Sequence, residues 1–371
     1  MRSRSPLLAF LTPLFLSASL MGCVAESSDT SDDASDLGVA QEAVSPAGSL
    51  AVARTNHASA PLPNGSVLVA GGSSGAGFLS SAEIYDPATN AWSPAASLGT
   101  ARMDAAAVPL PGGKVLVAGG TSGTFLSSVE IYDPTTNAWS LAAPMSVART
   151  RFTVTLLADG RVLAVGGSGG SGAVASAEIY NPATNSWSPA ASMASPRHTH
   201  ASALLPSGKV LVAGGFYRIR PMATAQVYDP ATNTWAAAGS MTSARQAHTA
   251  TTLATGKVLV AGGYSGTTLV GLANLYDPAT NSWSTAGSMP TPRQNHTATL
   301  LSNGNVLVAG GNAGSASNAV SLFDAATSTW SALAPLAGAR ASHSATRLSS
   351  GAVLVAGGSS AGAALSPPEL D

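Results

Sequence analysis

Arginine is the recurring candidate for chemistry in this sequence. It stands at Arg54, Arg102, Arg149, Arg197, Arg245, Arg293 and Arg340. In five of these seven places a histidine follows three residues later, at His57, His200, His248, His296 and His343. Ala105 and Phe152 take that place in the other two. Guanidiniums in a ring would suit an anion, and convergent imidazoles would suit a metal. Metal ligation needs His nitrogens at about 2.0–2.1 Å from one ion, whereas a position repeated in every unit spreads its copies around a wide circle. The repeated Arg and His are therefore expected to be scaffold, satisfying buried carbonyls and packing between units. No metal centre is expected.

Selectivity is expected where otherwise similar units differ. Directly after the repeated Arg come Thr55-Asn56, Met103-Asp104, Thr150-Arg151, His198-Thr199, Gln246-Ala247, Gln294-Asn295 and Ala341-Ser342. A second variable stretch follows a repeated Gly pair, and once it reads Phe216-Tyr217-Arg218-Ile219-Arg220-Pro221, a basic-aromatic loop. Tyr264 and Asn312 hold the position of Phe216 in the next two units. The candidate ligand-binding residues are thus Asn56, Asp104, Arg151, His198, Tyr217, Arg218, Arg220, Gln246, Tyr264, Gln294 and Asn295. Tyr217, Arg218 and Arg220 would suit a carboxylate-bearing or sugar-like ligand, because guanidinium offers a planar fork and Tyr an apolar face with a polar tip. Glycoside hydrolysis usually needs two carboxylates about 5–10 Å apart. Asp104 is the one acid beside the repeated Arg residues, with no evident partner acid, so no catalytic residue is assigned. Gly166-Gly167-Ser168-Gly169-Gly170 is a loop and not a nucleotide cradle, because no helix follows.

The elements that position these residues repeat. Val-Leu-Val-Ala-Gly-Gly ends at Gly72, and near-copies end at Gly120, Gly167, Gly215, Gly263, Gly311 and Gly358, in steps of 47 or 48 residues. Tyr-Asp-Pro-Ala-Thr-Asn-x-Trp and its variants place Trp at 92, 139, 187, 235, 283 and 330. A period of about 50 residues with these landmarks reads as propeller blades. In the unit from Arg54, Asn64-Gly65 is a hairpin turn signal. The run from Ser66 to Ala70 does not alternate, so both its faces are expected to be covered. Ala82-Glu83-Ile84-Tyr85 reads as a third strand, Asp86-Pro87-Ala88-Thr89-Asn90 as a tight turn with Asn left-handed, and Ala91-Trp92-Ser93 as a fourth strand.

Together these residues resemble the Kelch repeat, and residues 43–371 resemble a Kelch β-propeller. The fold class expected is all-β, with seven blades; six blades plus a tail is the alternative. Seven first-and-second-strand hairpins are present but only six complete units. The last unit stops at Pro367-Pro368-Glu369-Leu370-Asp371, while Ala43-Val44-Ser45-Pro46 aligns with Ala91-Trp92-Ser93-Pro94. The start of the chain is therefore expected to supply the fourth strand that its end lacks. That blade is expected to be the weakest, since Val44 replaces Trp. The resemblance further implies a first strand innermost around a channel, both variable stretches on one face at its mouth, and partners bound there. The blades are also similar to those of galactose oxidase, a relation that implies copper held by His and a Tyr crosslinked to Cys. The single cysteine, Cys23, lies outside the repeats, so no copper centre and no other cofactor is expected. Kelch-type sialic-acid isomerases leave a carbohydrate-active enzyme (isomerase, epimerase or lyase-like) as the second reading, behind a non-catalytic binding or scaffold protein.

The N-terminus reads as targeting sequence. Arg2 and Arg4 precede an apolar run from Leu7 to Leu20, as in a secretory signal. Leu20-Met21-Gly22-Cys23 resembles a bacterial lipobox, which implies cleavage after residue 22 and lipidation of Cys23. Residues 24–42 hold Glu26, Asp29, Asp32, Asp33, Asp36 and Glu42 with no basic residue, an acidic tether reaching about 25 Å as a coil. The expected location is the bacterial cell envelope as an anchored lipoprotein, or outside the cell. Only 9% of residues are charged and the formal net charge is −1, which argues against binding nucleic acid. The expected partners are a protein or glycan ligand, with membrane contact through the lipid alone and the chain a monomer.

Overall fold

The computed structural model describes residues 45, 46 and 48–370. The expectations for the signal, Cys23, the tether and Val44 concern residues outside that set. Among the described residues there is no helix, and seven antiparallel blade sheets are present, six of four strands and one, in blade 4, of five because a short hairpin strand joins it. Six are each built from one run of chain. Blade 1 comprises Ala58–Pro61, Val67–Ala70, Ala82–Asp86 and Ala91–Ala95. Blade 2 runs from Ala106 to Ala142, blade 3 from Thr153 to Ala190, blade 4 from Ala201 to Arg245, blade 5 from Thr249 to Ser288 and blade 6 from Thr297 to Leu333. Blade 7 is composite. Ser344–Arg347 and Val353–Ala356 are joined by Glu369–Leu370, and Ser45–Pro46 adds the outer strand with Ser45 opposite Leu370 and Pro46 opposite Glu369. The two ends of the chain thus complete one sheet, as their alignment with blade 1 implies. The seven first strands neighbour one another in sequence order, and blade 7 returns to blade 1.

The local chemistry explains the unit. The second strand, Val-Leu-Val-Ala in blade 1, is buried at every residue. Its side chains enter apolar clusters shared with the next blade, such as Leu68 and Ala70 with Val115, Val117 and Tyr132. This continuous burial is why the run shows no alternation. Asn90, Asn137, Asn185, Asn233 and Asn281 take left-handed φ of 48–54° in the turn before the outer strand. There the Tyr85 hydroxyl donates to Asn90 Oδ1 at 2.9 Å, and its ring lies 5.3 Å from that of Trp92. From blade 2 to blade 6 the Trp Nε1 donates to a carbonyl in or just after the outer strand of the preceding blade, at 2.6–2.8 Å. Each of these five Trp therefore ties two blades together at the rim.

The Gly pair ends the second strand where the next blade crosses it. A Cβ on Gly214 (φ +63°) would lie 2.5 Å from His248 Cε1 and 2.7 Å from the Arg245 carbonyl, both at the entry to blade 5. Only glycine fits that approach.

Candidate functional site

The repeated Arg side chains are fully buried, each 0–1% exposed. Each reaches the carbonyl of the first Gly of its own pair, as Arg54 Nη1 does to Gly71 at 2.9 Å and Arg102 Nη1 to Gly119 at 2.9 Å. In four blades the other amine meets a buried carboxylate: Arg54–Glu83 at 2.7 Å, Arg102–Glu130 at 2.7 Å, Arg149–Glu178 at 2.6 Å, and Arg340–Glu369. The carboxylate also accepts two backbone N–H groups of the linker leading into its blade, for example Gly99 at 2.6 Å and Thr100 at 3.1 Å on Glu130. These Glu residues are not among the candidates singled out from the sequence. The signal was available, because each stands 28 or 29 residues after its Arg.

The repeated His side chains lie between blades. Nε2 meets a hydroxyl of the preceding blade in four of them: Ser344 for His57 at 2.8 Å, Thr153 for His200 at 3.1 Å, Thr249 for His296 at 3.1 Å and Thr297 for His343 at 2.9 Å. His248 Nε2 donates to the Ala213 carbonyl at 3.2 Å. Burial, reinforced by the neighbouring Arg, drives His57, His200, His296 and His343 down to about 3 and His248 well below its ordinary value. The imidazoles are neutral spacers, and their geometry is that of scaffold.

The residues two after each Arg form the mouth of the axial channel. Asn56, Asp104, Arg151, Thr199, Ala247, Asn295 and Ser342 all take φ of 51–55°. Their backbones are linked around the ring, with Asn56 N donating to Ser342 O at 3.0 Å, Asp104 N to Asn56 O at 3.0 Å, Thr199 N to Arg151 O at 3.0 Å and Asn295 N to Ala247 O at 3.0 Å. Two shallow hollows flank the axis. One of about 270 Å³ is lined by Asn56, Asp104, Arg151 and Ser342, and one of about 240 Å³ by Arg151, Thr199, Ala247 and Asn295. Arg151 Nε donates to Asp104 Oδ2 at 3.3 Å, so the acid at the mouth faces a cation and no second acid.

The residue directly after each Arg pairs with the residue directly after the Gly pair. His198 exchanges backbone hydrogen bonds with Phe216 (3.2 and 2.8 Å), Gln246 with Tyr264 (3.1 and 2.9 Å) and Gln294 with Asn312 (3.0 and 2.7 Å). The two variable stretches therefore share one face. Of the candidate residues, Asn56, Asp104, Arg151 and Asn295 line the hollows, while His198, Gln246 and Gln294 stand beside the loops that carry Tyr217, Arg218, Arg220 and Tyr264. The His198 ring lies 5.4 Å from that of Phe216, and burial together with the Arg151 charge lowers its pKa.

The loop expected at 216–221 is a hairpin. Phe216 pairs with Pro221 and Tyr217 with Arg220, and the returning strand continues unbroken to Asp229. Arg218 turns the hairpin at φ 55° and its guanidinium stacks 5.2 Å over the Tyr217 ring. Ile219 at the tip is 91% exposed. A larger hollow of about 520 Å³ lies beside blade 7, lined chiefly by Ala337, Ala339, Leu365, Pro367 and Pro368, and includes none of the candidate residues.

A closed ring of radially arranged four-stranded sheets defines a β-propeller. The Kelch motif matches residues 54–99, 105–146, 149–194 and 197–242, and the KLHDC2/KLHL20/DRC7 Kelch-repeats domain matches residues 236–358. The chain is a Kelch-repeat β-propeller. No curated protein matches the sequence. Among solved structures the fold is similar to that of a fungal alcohol oxidase of the AA5 family in complex with copper, at 17% identity and a TM-score of 0.70, over 88% of this chain and 75% of that one. That similarity is one of fold. Among the described residues no three His, Cys, Asp or Glu side chains converge.

Proposed function

We propose that this propeller is a non-catalytic binding or scaffold protein that recognises a protein or glycan ligand on the mouth face. One observation carries the reading: the positions at which the units differ are bonded to one another and lie together on that face, on a ring that is otherwise repetitive. Kelch propellers commonly serve as binding scaffolds, which agrees with it. The facing of Asp104 by Arg151 disfavours an acid–base pair there. The proposal includes attachment to the bacterial envelope through lipidated Cys23, or release outside the cell, and mass analysis of the mature N-terminus tests that part.

The binding reading is tested with glycan and peptide arrays probed by the full-length protein. Gln246→Ala with Gln294→Ala should lower capture at least tenfold. Lys114→Ala, at the opposite end of a second strand and paired with Asp133 at 3.0 Å, should leave capture unchanged. Loss only on the Lys114 side would overturn the reading.

A further inference from the structure

The seven blades are unequal beneath the surface. In blades 4, 5 and 6 the position that pairs the buried Arg with Glu elsewhere is Gln226, Asn274 and Ser321. Arg197 there has only neutral partners, the carbonyls of Gly214 (2.8 Å) and Thr224 (2.8 Å) and the Thr224 hydroxyl (3.2 Å). Arg245 has the carbonyls of Gly262 (3.1 Å) and Leu272 (2.9 Å) and Asn274 Oδ1 (2.9 Å). Arg293 has Gly310 O (3.3 Å), Ala319 O and the Ser321 hydroxyl. Burial lowers all three to about 10, so they remain charged at neutral pH. Three neighbouring blades thus hold buried cations without counter-charges.

These cations lie under the variable loops. The glycines they hold, Gly214, Gly262 and Gly310, each stand two residues before Phe216, Tyr264 and Asn312. Residues 197–339 carry seven Lys and Arg against three Asp and Glu, whereas residues 48–196 with 340–370 carry eight of each. Lys209 and Lys257 pair with Asp229 at 2.9 Å and Asp277 at 3.2 Å at the far end of the blades. At the mouth end this sector therefore holds Arg218 and Arg220 at the surface over the buried Arg197, Arg245 and Arg293, and no acid. Charge in a poorly hydrated wall is weakly screened and focuses a field on the surface above it.

We infer that the mouth face over blades 4–6 binds an acidic saccharide, one bearing uronate-type carboxylates. The inference rests on the binding reading above and names its ligand class. The Arg218–Tyr217 stack and Arg220 on the projecting hairpin offer forked donors to a carboxylate. Tyr264 and Phe216 offer ring faces. Gln246, Gln294, Asn295 and Asn312 offer amides, which both donate and accept, as hydroxyl recognition requires. An extended acidic peptide is less well served, because the backbone groups at the mouth are already bonded to one another around the ring: Ala247 N to Thr199 O at 3.0 Å and Ser342 N to Asn295 O at 3.2 Å.

The test titrates the full-length protein with an oligogalacturonate, a neutral hexose oligomer of the same length and an oligoglutamate of matching charge. The uronate should bind at least tenfold tighter than either control and weaken as salt rises. Arg218→Ala with Arg220→Ala should lose at least tenfold. A variant carrying Gln226→Glu, Asn274→Glu and Ser321→Glu restores the acids found in the other blades, at two buried positions and the half-buried Gln226. It should bind about three- to tenfold more weakly, by loss of the field alone. Gln226→Glu alone, isosteric and preceded by Glu83, Glu130 and Glu178 at the same position, should show a smaller loss in the same direction should the triple variant not fold. Uronate binding that is absent, that is unchanged by the buried carboxylates, or that is matched by oligoglutamate would overturn the inference. Equal binding of the neutral oligomer, still lost with the hairpin arginines, would overturn it while leaving the mouth-face reading intact.

Discussion

Glu130→Ala in blade 2 removes a buried carboxylate that accepts from Arg102 Nη2 at 2.7 Å, Gly99 N at 2.6 Å and Thr100 N at 3.1 Å. The guanidinium left behind is 1% exposed and keeps only neutral partners. Removing one partner of a buried ion pair costs about 3–5 kcal/mol, because the remaining charge is uncompensated. Glu130→Gln should cost less. Gln226 in blade 4 shows that an amide there still accepts one linker N–H, from Ala194 at 3.2 Å, and that carbonyls and a hydroxyl can hold the Arg without an acid. About 2 kcal/mol is expected, the value of one lost charge-assisted hydrogen bond. Urea unfolding of both variants, read at constant m, measures the two losses. Both should persist at high salt, since buried pairs are little screened. A loss below about 1 kcal/mol for Glu130→Ala would refute the claim that the Arg–Glu clasp fastens the linker to its blade in the four blades that carry it.

Two further outcomes follow from the same structure. The five interblade His are neutral in the fold, with four lowered to about 3 from an ordinary value of 6.5. The unfolded chain therefore binds more protons between those limits. Stability from this source is complete above about pH 6.5 and is lost as pH falls towards 3, with a slope of about 1.4 kcal/mol per pH unit per histidine at most. His248→Phe, which copies the Phe152 of blade 3, should reduce that slope by one proton in acid unfolding, and an unchanged slope would contradict it. In blade 7 the third and outer strands pair over two residues where blade 1 pairs five. Amides of 353–356 should exchange faster than those of 67–70 by native-state hydrogen exchange, and equal protection would count against a weak closing blade.

The architecture was legible because its signals are strict and local. The Gly pair, the Asn turn and the Trp recur at fixed steps, and each has one physical role repeated from blade to blade. The tail-to-head closure was legible for the same reason, as Glu369 and Ser45-Pro46 keep their places relative to Glu83 and Ser93-Pro94. The candidate face was legible as a contrast, in the positions where repetition fails. Its geometry was not. The hairpin at 216–221 turns on Arg218 at positive φ, where turn chemistry favours Gly or Asn, so the residues read as a loop. The Arg151–Asp104 pair joins residues 47 apart in sequence, and nothing local announces it. The Arg–Glu clasp hid in an apolar strand and is missing from three blades, yet its absence there is what distinguishes the sector.

The claim that recognition resides where the repeat symmetry breaks is tested most directly by hydrogen-exchange footprinting of the full-length protein with bound oligogalacturonate. New protection should fall on residues 216–221, 246–247, 264–269 and 294–295, all on the mouth face over blades 4–6. Protection confined to the turns at the opposite end of the blades, such as 205–209 and 253–257, would contradict the account.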